Sequence, residues 1–272
     1  MTGSLVLMLA VMPISTPGST GMSESAILAI AEQSFAEGVA LRHDSAKARP
    51  AFARSAIAYD ELWMMGYRNP ELTLNRAHAH QLAGDLPKAI AALHEGLEAA
   101  RWNRPLQVAL EDARSAVGYP LTGDLSSQCR PKMTPSISNR MSPTEASSIA
   151  VVLWLLSCGG VTRFAMTRAV WWLMFAGVAS VALALLGGIW LQDYLHHQRE
   201  NSVPLLIVTD DVLLRRGNSK EYPTRLEPRL PRGVELRELS RRGGWVQVRL
   251  ARGVIGWLPE TAVVAVRSGL TT

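Results

Sequence analysis

The sequence predicts a chain of three unlike parts: an all-α helical array, a two-helix hairpin through a bilayer, and a small all-β barrel. Across residues 25–117 apolar residues recur three and four apart, the spacing of one helix face. Two uncharged runs follow, 146–162 and 169–192, long enough to read as membrane segments. Beyond Val203 the helical period gives way to short apolar runs cut by Gly and Pro, which is strand and turn chemistry. A length of 272 residues suits about two aqueous domains.

The helical part is expected over residues 22–118, with Pro50 and Pro70 punctuating it. Its informative stretch, 75–97, reads N-R-A-H-A-H-Q-L-A-G-D-L-P-K-A-I-A-A-L-H-E-G-L. Small residues stand at Ala77, Gly84, Ala89 and Gly96, and large ones at Leu82, Leu86, Ile90, Leu93 and Leu97. Two antiparallel helices approach closely only where side-chain bulk is missing; Gly84 opens the turn between them and the leucines fill what remains. The stretch resembles a tetratricopeptide repeat. Ser55 and Tyr59 lie 34 residues before Ala89 and Leu93, the repeat length of that family. The upstream copy is degenerate on this reading: a helix over 35–41, an insertion over 43–50, then a helix over 51–65. A last amphipathic helix, 105–117, is placed to cap the open end, because each unit of such an array buries its face only against a neighbour. A generic helical hairpin bundle is the plainer alternative.

Residues 119–145, with Pro120, Pro131, Pro135 and Pro143 among Ser, Thr, Gly and Asn, have no period and read as a linker. The membrane helices are placed at 146–162 and 169–191. At 1.5 Å per residue the second uncharged run reaches roughly 35 Å against a hydrocarbon core near 30 Å, and the first about 25 Å. Trp171 and Trp172 mark one end of the second run and Trp190 the other, where amphipathic rings favour headgroups. Ser180, Ala184 and Gly188 form a small-residue stripe that the first helix could approach. Arg163 and Arg168 lie five apart, which forces a hairpin and puts both aqueous parts on one side. Arginines in so short a turn favour a cytoplasmic turn and extracytoplasmic domains, although Arg130, Lys132 and Arg140 flank the other end. Residues 1–21 hold an apolar run, 5–14, of signal-peptide length, yet no Lys or Arg precedes it and no A-x-A follows. An unstructured start is the alternative.

The all-β part is expected over 203–267, with strands at 205–208, 212–214, 234–239, 245–250 and 254–258. Its order of residues resembles a bacterial Src-homology-3-like domain: L-R-R-G-N-S-K-E-Y ending at Tyr222, G-G-W-V-Q-V from Gly243, and G-V-I-G-W-L-P-E-T-A-V from Gly253. In eukaryotic relatives a Trp, a Pro and a Tyr form a groove for proline-rich peptides. The first two match Trp245 and Pro259; Ala262 stands where the Tyr would be, so that resemblance does not imply polyproline recognition. Trp245 and Trp257 could equally fill a small core.

No residues suggest catalysis or a cofactor. His78 and His80 are two apart and point to different sides of a helix, His196 and His197 are adjacent at a membrane border, and both pairs read as exposed or interfacial. Asp210 and Asp211 sit beside a strand end, and neither a Gly-rich phosphate loop nor a C-x-x-C occurs. Cys129, in the linker, and Cys158, in an apolar run, read as unpaired. Charge is uneven: residues 22–118 carry ten Lys and Arg against twelve Asp and Glu, and residues 201–268 carry twelve against seven. The basic surplus in the last part admits an anionic ligand such as lipid headgroups or a wall polymer.

Aligned to the repeat pattern, Leu74, His78 and Gln81 fall on the inner face where related proteins hold extended peptides; Leu74 and His78 depart from the Lys and Asn of a carboxylate clamp. Helical repeats, Pro-rich linker, membrane hairpin and terminal barrel, in that order, resemble the BatE-like proteins of the bacterial aerotolerance operon. The resemblance implies a non-enzymatic inner-membrane scaffold that partners von Willebrand A-type membrane proteins and a MoxR-type ATPase, without metal, cofactor or nucleic acid. A membrane-bound binder of wall or other anionic polymer, acting through the basic barrel, is the alternative.

Overall fold

The structure, a computed structural model, describes residues 23–120, 128–131, 143–201 and 203–266. The expected leader and most of the expected linker lie outside them.

Five helices come first: α1 (Glu24–Ala40), α2 (Ser45–Met64), α3 (Pro70–Ala83), α4 (Leu86–Ala99) and α5 (Arg104–Ser115). Each starts on a side-chain cap. Ser23, Asp44, Asn69, Asp85 and Asn103 each accept a first-turn N–H that would otherwise lack a partner, and α3, α4 and α5 add a first-turn proline already at helical φ. Each helix packs on the next in the chain. Between α3 and α4 the backbone turns at Gly84, whose φ of 89° is a left-handed conformation; Asp85 N–H then reaches back to His80 O at 2.9 Å and closes the helix end. A Cβ on Gly96 would fall 2.3 Å from Thr73 Cγ2, so α3 and α4 approach as closely as the small residues allow.

Three expectations for this region need correction. No insertion occupies 43–50: residues 41–44 form the turn, and α2 runs straight through Pro50. Proline survives there because the carbonyl it leaves unmatched belongs to Ala46, itself exposed to water. Leu82 is not a filler of the interior; it is 46% exposed at the last turn of α3. His80 is buried at 4%, because a two-residue step on a helix turns it away from exposed His78 and toward Asp60 of α2.

Two long apolar helices follow, α6 (Pro143–Thr167) and α7 (Val170–Asn201), packed on each other with only Arg168 and Ala169 between them. The first outruns 146–162 at both ends and the second outruns 169–191 at its C-terminal end, since a charged residue ends an apolar run without ending a helix. Their contact side is Ala146, Ala150, Leu153, Ser157, Gly160 and Phe164 against Trp172, Ala176, Ala179, Leu183, Leu186 and Trp190. Alternating steps of three and four mark a left-handed pair. A Cβ on Gly160 would lie 2.9 Å from Ala176 Cβ, and Ser157 Oγ meets Ser180 Oγ at 2.7 Å. The stripe Ser180, Ala184 and Gly188 is not the seam: a strict step of four drifts off a 3.5-residue period, and Ala184 and Gly188 face outward.

The last unit is a five-stranded antiparallel sheet: β1 (Leu205–Val208), β2 (Glu235–Arg242), β3 (Trp245–Arg249), β4 (Ile255–Pro259) and β5 (Val263–Ala265), in the order β4-β3-β2-β1-β5. A 3-10 turn, Glu260–Ala262, follows the G-W-L-P run. The strand expected at 212–214 is reduced to isolated bridges, Val212 to Leu230 and Arg215 to Trp257. β5 was not foreseen, because three residues are too few to show an alternation.

Helical array and sheet share one interior. Ile90, Leu93, Leu106, Leu110 and Val117 from the helices join Leu206, Ile207, Leu236 and Val248 from the strands in a single apolar cluster, which also takes in Cys129 of the expected linker. α6 and α7 leave this body with most of their side chains outward.

Candidate interaction site

The joint between array and sheet is built around Glu235, the first residue of β2. Arg114, in the last turn of α5, donates from Nε to Glu235 Oε1 at 2.6 Å and from Nη2 to Oε2 at 2.7 Å, a bidentate pair. His94 Nε2 of α4 stands 3.3 Å from Oε2, close enough for an ionic contact but poorly aligned for a hydrogen bond. Burial alone would push the Glu235 carboxyl up; His94 and Arg114 overcome it and hold it well below the usual carboxylate range. Beside the pair the backbone passes Gly233 at φ 90°, where a Cβ would fall 2.8 Å from Val117 Cγ2 and 3.4 Å from Ile90 Cδ1. Burial pushes the Cys129 thiol up to about 12 and raises the Tyr119 phenol, so neither is a reactive group at neutral pH.

The array has its own ionic centre. Arg76 of α3 bridges Asp60 of α2 and Glu95 of α4, with its guanidinium 5.2 Å from the Trp63 ring centre, and His80 Nε2 lies 3.1 Å from Asp60 Oδ2. Burial raises the Asp60 carboxyl, but the His80 hydrogen bond and the Arg76 charge more than offset it and leave it lowered. Neither centre is visible as a motif, because partners 16 to 121 residues apart meet only once the helices stack.

Of the residues singled out from the repeat pattern, Leu74, His78 and Gln81 share one face of α3, and the last two are exposed. Leu74 is half-buried against the common core, so it already serves the chain's own packing. A cleft of about 310 Å³ opens nearby between α1, α2 and α3. Its floor is apolar (Val39, Ala48, Phe52, Leu82), and Arg42 and Arg49 stand at its edge. Nothing in the sequence marked it, because Leu82 reads there as an interior filler.

On the sheet, Trp245 and Pro259 are directly opposite each other on β3 and β4. Trp257 follows two residues before Pro259 on the same outward side, while Val246, Val248 and Leu258 point in. Trp245 and Trp257 are half-buried and belong to the outer surface rather than to the interior cluster. Ala262 is buried at 8%. Arg241, nearby, is held by Glu238 at 2.7 Å and Glu260 at 2.6 Å.

Nothing among the family models, the curated proteins or the solved structures compared with this chain matches it.

Proposed function

We propose that this chain is a membrane-anchored protein–protein interaction scaffold of the bacterial envelope, its helical array of tetratricopeptide type and its sheet a Src-homology-3-like barrel. The observation that carries the reading is the α6–α7 pair. Both helices hold stretches long and apolar enough to cross a membrane, and only 6% and 11% of those stretches is buried. Trp154, Leu155, Val178, Val181 and Leu185 are each more than half exposed. A soluble protein would cover such a surface; a bilayer covers it here. Because the helices form a hairpin, the array and the sheet, joined through Glu235, stand together on one side of that bilayer.

Paired helices with small residues at close approaches, and the 34-residue spacing that brings Ser55 and Tyr59, like Ala89 and Leu93, to buried positions, support the repeat reading. The cleft at Leu82, the exposed His78 and Gln81, and the Trp245–Pro259 pair are the surfaces left for partners. By the BatE-like resemblance those partners are von Willebrand A-type membrane proteins and a MoxR-type ATPase, and the body faces outward from the inner membrane. The test is extraction with alkaline carbonate followed by affinity purification from solubilised membranes. Retention in the membrane with recovery of envelope proteins, reduced by Trp245→Ala or His78→Ala, supports the proposal; release by carbonate refutes the anchor, and clean recovery of the chain alone refutes the scaffold.

A further inference from the structure

We infer that one corner of the outer face of the sheet, formed by Arg237, Arg249, Arg252 and Ile255, is a seat for anionic phospholipid headgroups. The inference rests on the membrane anchoring proposed above and assigns the barrel a partner which that proposal does not.

Strand register fixes where this corner lies. β1 begins at Leu205, four residues after α7 ends at Asn201. Arg237 is opposite Leu205, Arg249 opposite Arg237, and Ile255 opposite Arg249. With strands about 4.8 Å apart, Arg249 is about 10 Å from the point where the chain enters the sheet. Arg237 Nη1 also donates to Val203 O at 3.0 Å, tying the corner to the connection from α7. The nine residues of α7 beyond Gln192 rise about 14 Å, of which the headgroup layer takes about 6 Å. What remains is about one Debye length, and helix tilt shortens it further.

The chemistry of the corner fits that location. Arg237 and Arg249 are like charges directly across a strand pair, an unfavourable arrangement that a bound anion would relieve. Among the described residues neither Arg249 nor Arg252 has an ion-pair partner, in contrast to Arg241, which two carboxylates hold. Ile255, opposite Arg249, is 44% exposed on the same side, and Arg252 is exposed in the turn that joins β3 to β4. Cations flanking an exposed apolar side chain, presented at the end of a membrane helix, match a headgroup layer with its phosphates outside and its acyl boundary beneath. The Trp245–Pro259 pair lies at the other end of β4, about 13 Å away at strand spacing, so a protein partner there is not displaced.

The test uses the full chain reconstituted in vesicles, with an environment-sensitive fluorophore attached through Ile255→Cys in a Cys158→Ser background; Cys129 is fully buried and stays unlabelled. In vesicles containing phosphatidylglycerol the emission is expected to shift to the blue and resist an aqueous quencher, and in phosphatidylcholine alone it is not. Each arginine near an anionic surface favours the seated state by about fivefold, so Arg249→Gln with Arg252→Gln should lower it about 25-fold. Salt near 1 M, with a Debye length of about 3 Å, should have the same effect. The exposed Arg229→Gln serves as a charge control and should change nothing. Equal emission in both lipids, with the chain still resistant to carbonate, overturns the inference while leaving the anchor standing; release by carbonate removes the anchor itself. A shift that appears only when purified wall polymer is added overturns the lipid assignment in favour of the polymer.

Discussion

Replacing Arg114 by Met tests whether the array and the sheet are one body. The substitution keeps most of the stem that packs at the joint and removes the cation that holds both oxygens of Glu235 at 2.6 and 2.7 Å. Glu235 has a side chain only 9% exposed, so it cannot recover its hydration without opening the seam. Losing one partner of a buried pair costs about 3–5 kcal/mol, whereas an exposed pair contributes about 0–1 kcal/mol. The double variant Arg114→Met with Glu235→Gln leaves no stranded charge and should regain most of the loss, giving a coupling energy above about 2 kcal/mol. Urea unfolding of the detergent-solubilised chain measures both values, and hydrogen exchange at α5 and β2 shows where protection is lost. Because the Glu235 carboxyl is held below its unfolded value, the stability it contributes is fully present above pH about 4.3 and declines as acid carries the pH toward the lowered native value. A cost under about 1 kcal/mol for Arg114→Met, or a double variant no better than the single, would show that Glu235 is solvated and the joint open.

Gly233→Ala should cost about 1–2 kcal/mol from the left-handed backbone alone, and more because its Cβ meets Val117; protection should fall in α4, α5 and β2 together rather than in the sheet only, as read by hydrogen exchange. In a Cys158→Ser background, Ser157→Cys with Ser180→Cys should form a disulfide under mild oxidation, since the two Oγ atoms are 2.7 Å apart, and adding Gly160→Leu should abolish it by pushing α7 away; gel mobility under non-reducing conditions reports both. In native vesicles a membrane-impermeant charged thiol reagent should label neither cysteine, Cys129 because burial raises its thiol to about 12 and Cys158 because lipid surrounds it, and two thiols should react after denaturation; mass spectrometry counts them.

The parts of this fold that were legible in the sequence are those written locally. The starts of α3, α4 and α5 follow from Asp or Asn with a proline one or two residues on, the α3–α4 turn from Gly84, and the strands from apolar runs between Gly and Pro. The apolar helices were visible as well, but their contact side was misread, because spacing along one helix does not say which face its neighbour takes. Pro50 misled for a related reason: a proline reads as a break unless it is known that its unmatched carbonyl faces water. The joint could not be read at all. Arg114 and Glu235 are 121 residues apart, with two membrane-length helices between them, and an arginine at a helix end is ordinarily a solvated group. Trp245 and Pro259 are register partners, but their position on the outer face depends on the inward alternation of Val246 and Leu258 as much as on their own types.

The joint also resolves a difficulty that the helical part poses by itself. On the proposed repeat reading, two helical pairs are fewer than the three or more units such stacks usually need, and α5, as the last helical layer, would leave Leu106, Leu110 and Val117 partly uncovered. Here those side chains are at most 5% exposed, because they share one interior with the sheet. The sheet packs directly on α4, and Arg114 of α5 pairs with Glu235 of β2 beside it. The consequence for binding is geometric: the sheet occupies the α4 side of the helices and leaves the cleft at Leu82 and the exposed His78 and Gln81 open. If the sheet were an independent lobe, removing it would leave that cleft unchanged; because it shares the helices' interior, deletion of residues 203–272 should lower the helical melting temperature and weaken any partner captured through His78, even though no residue of the sheet lines the cleft.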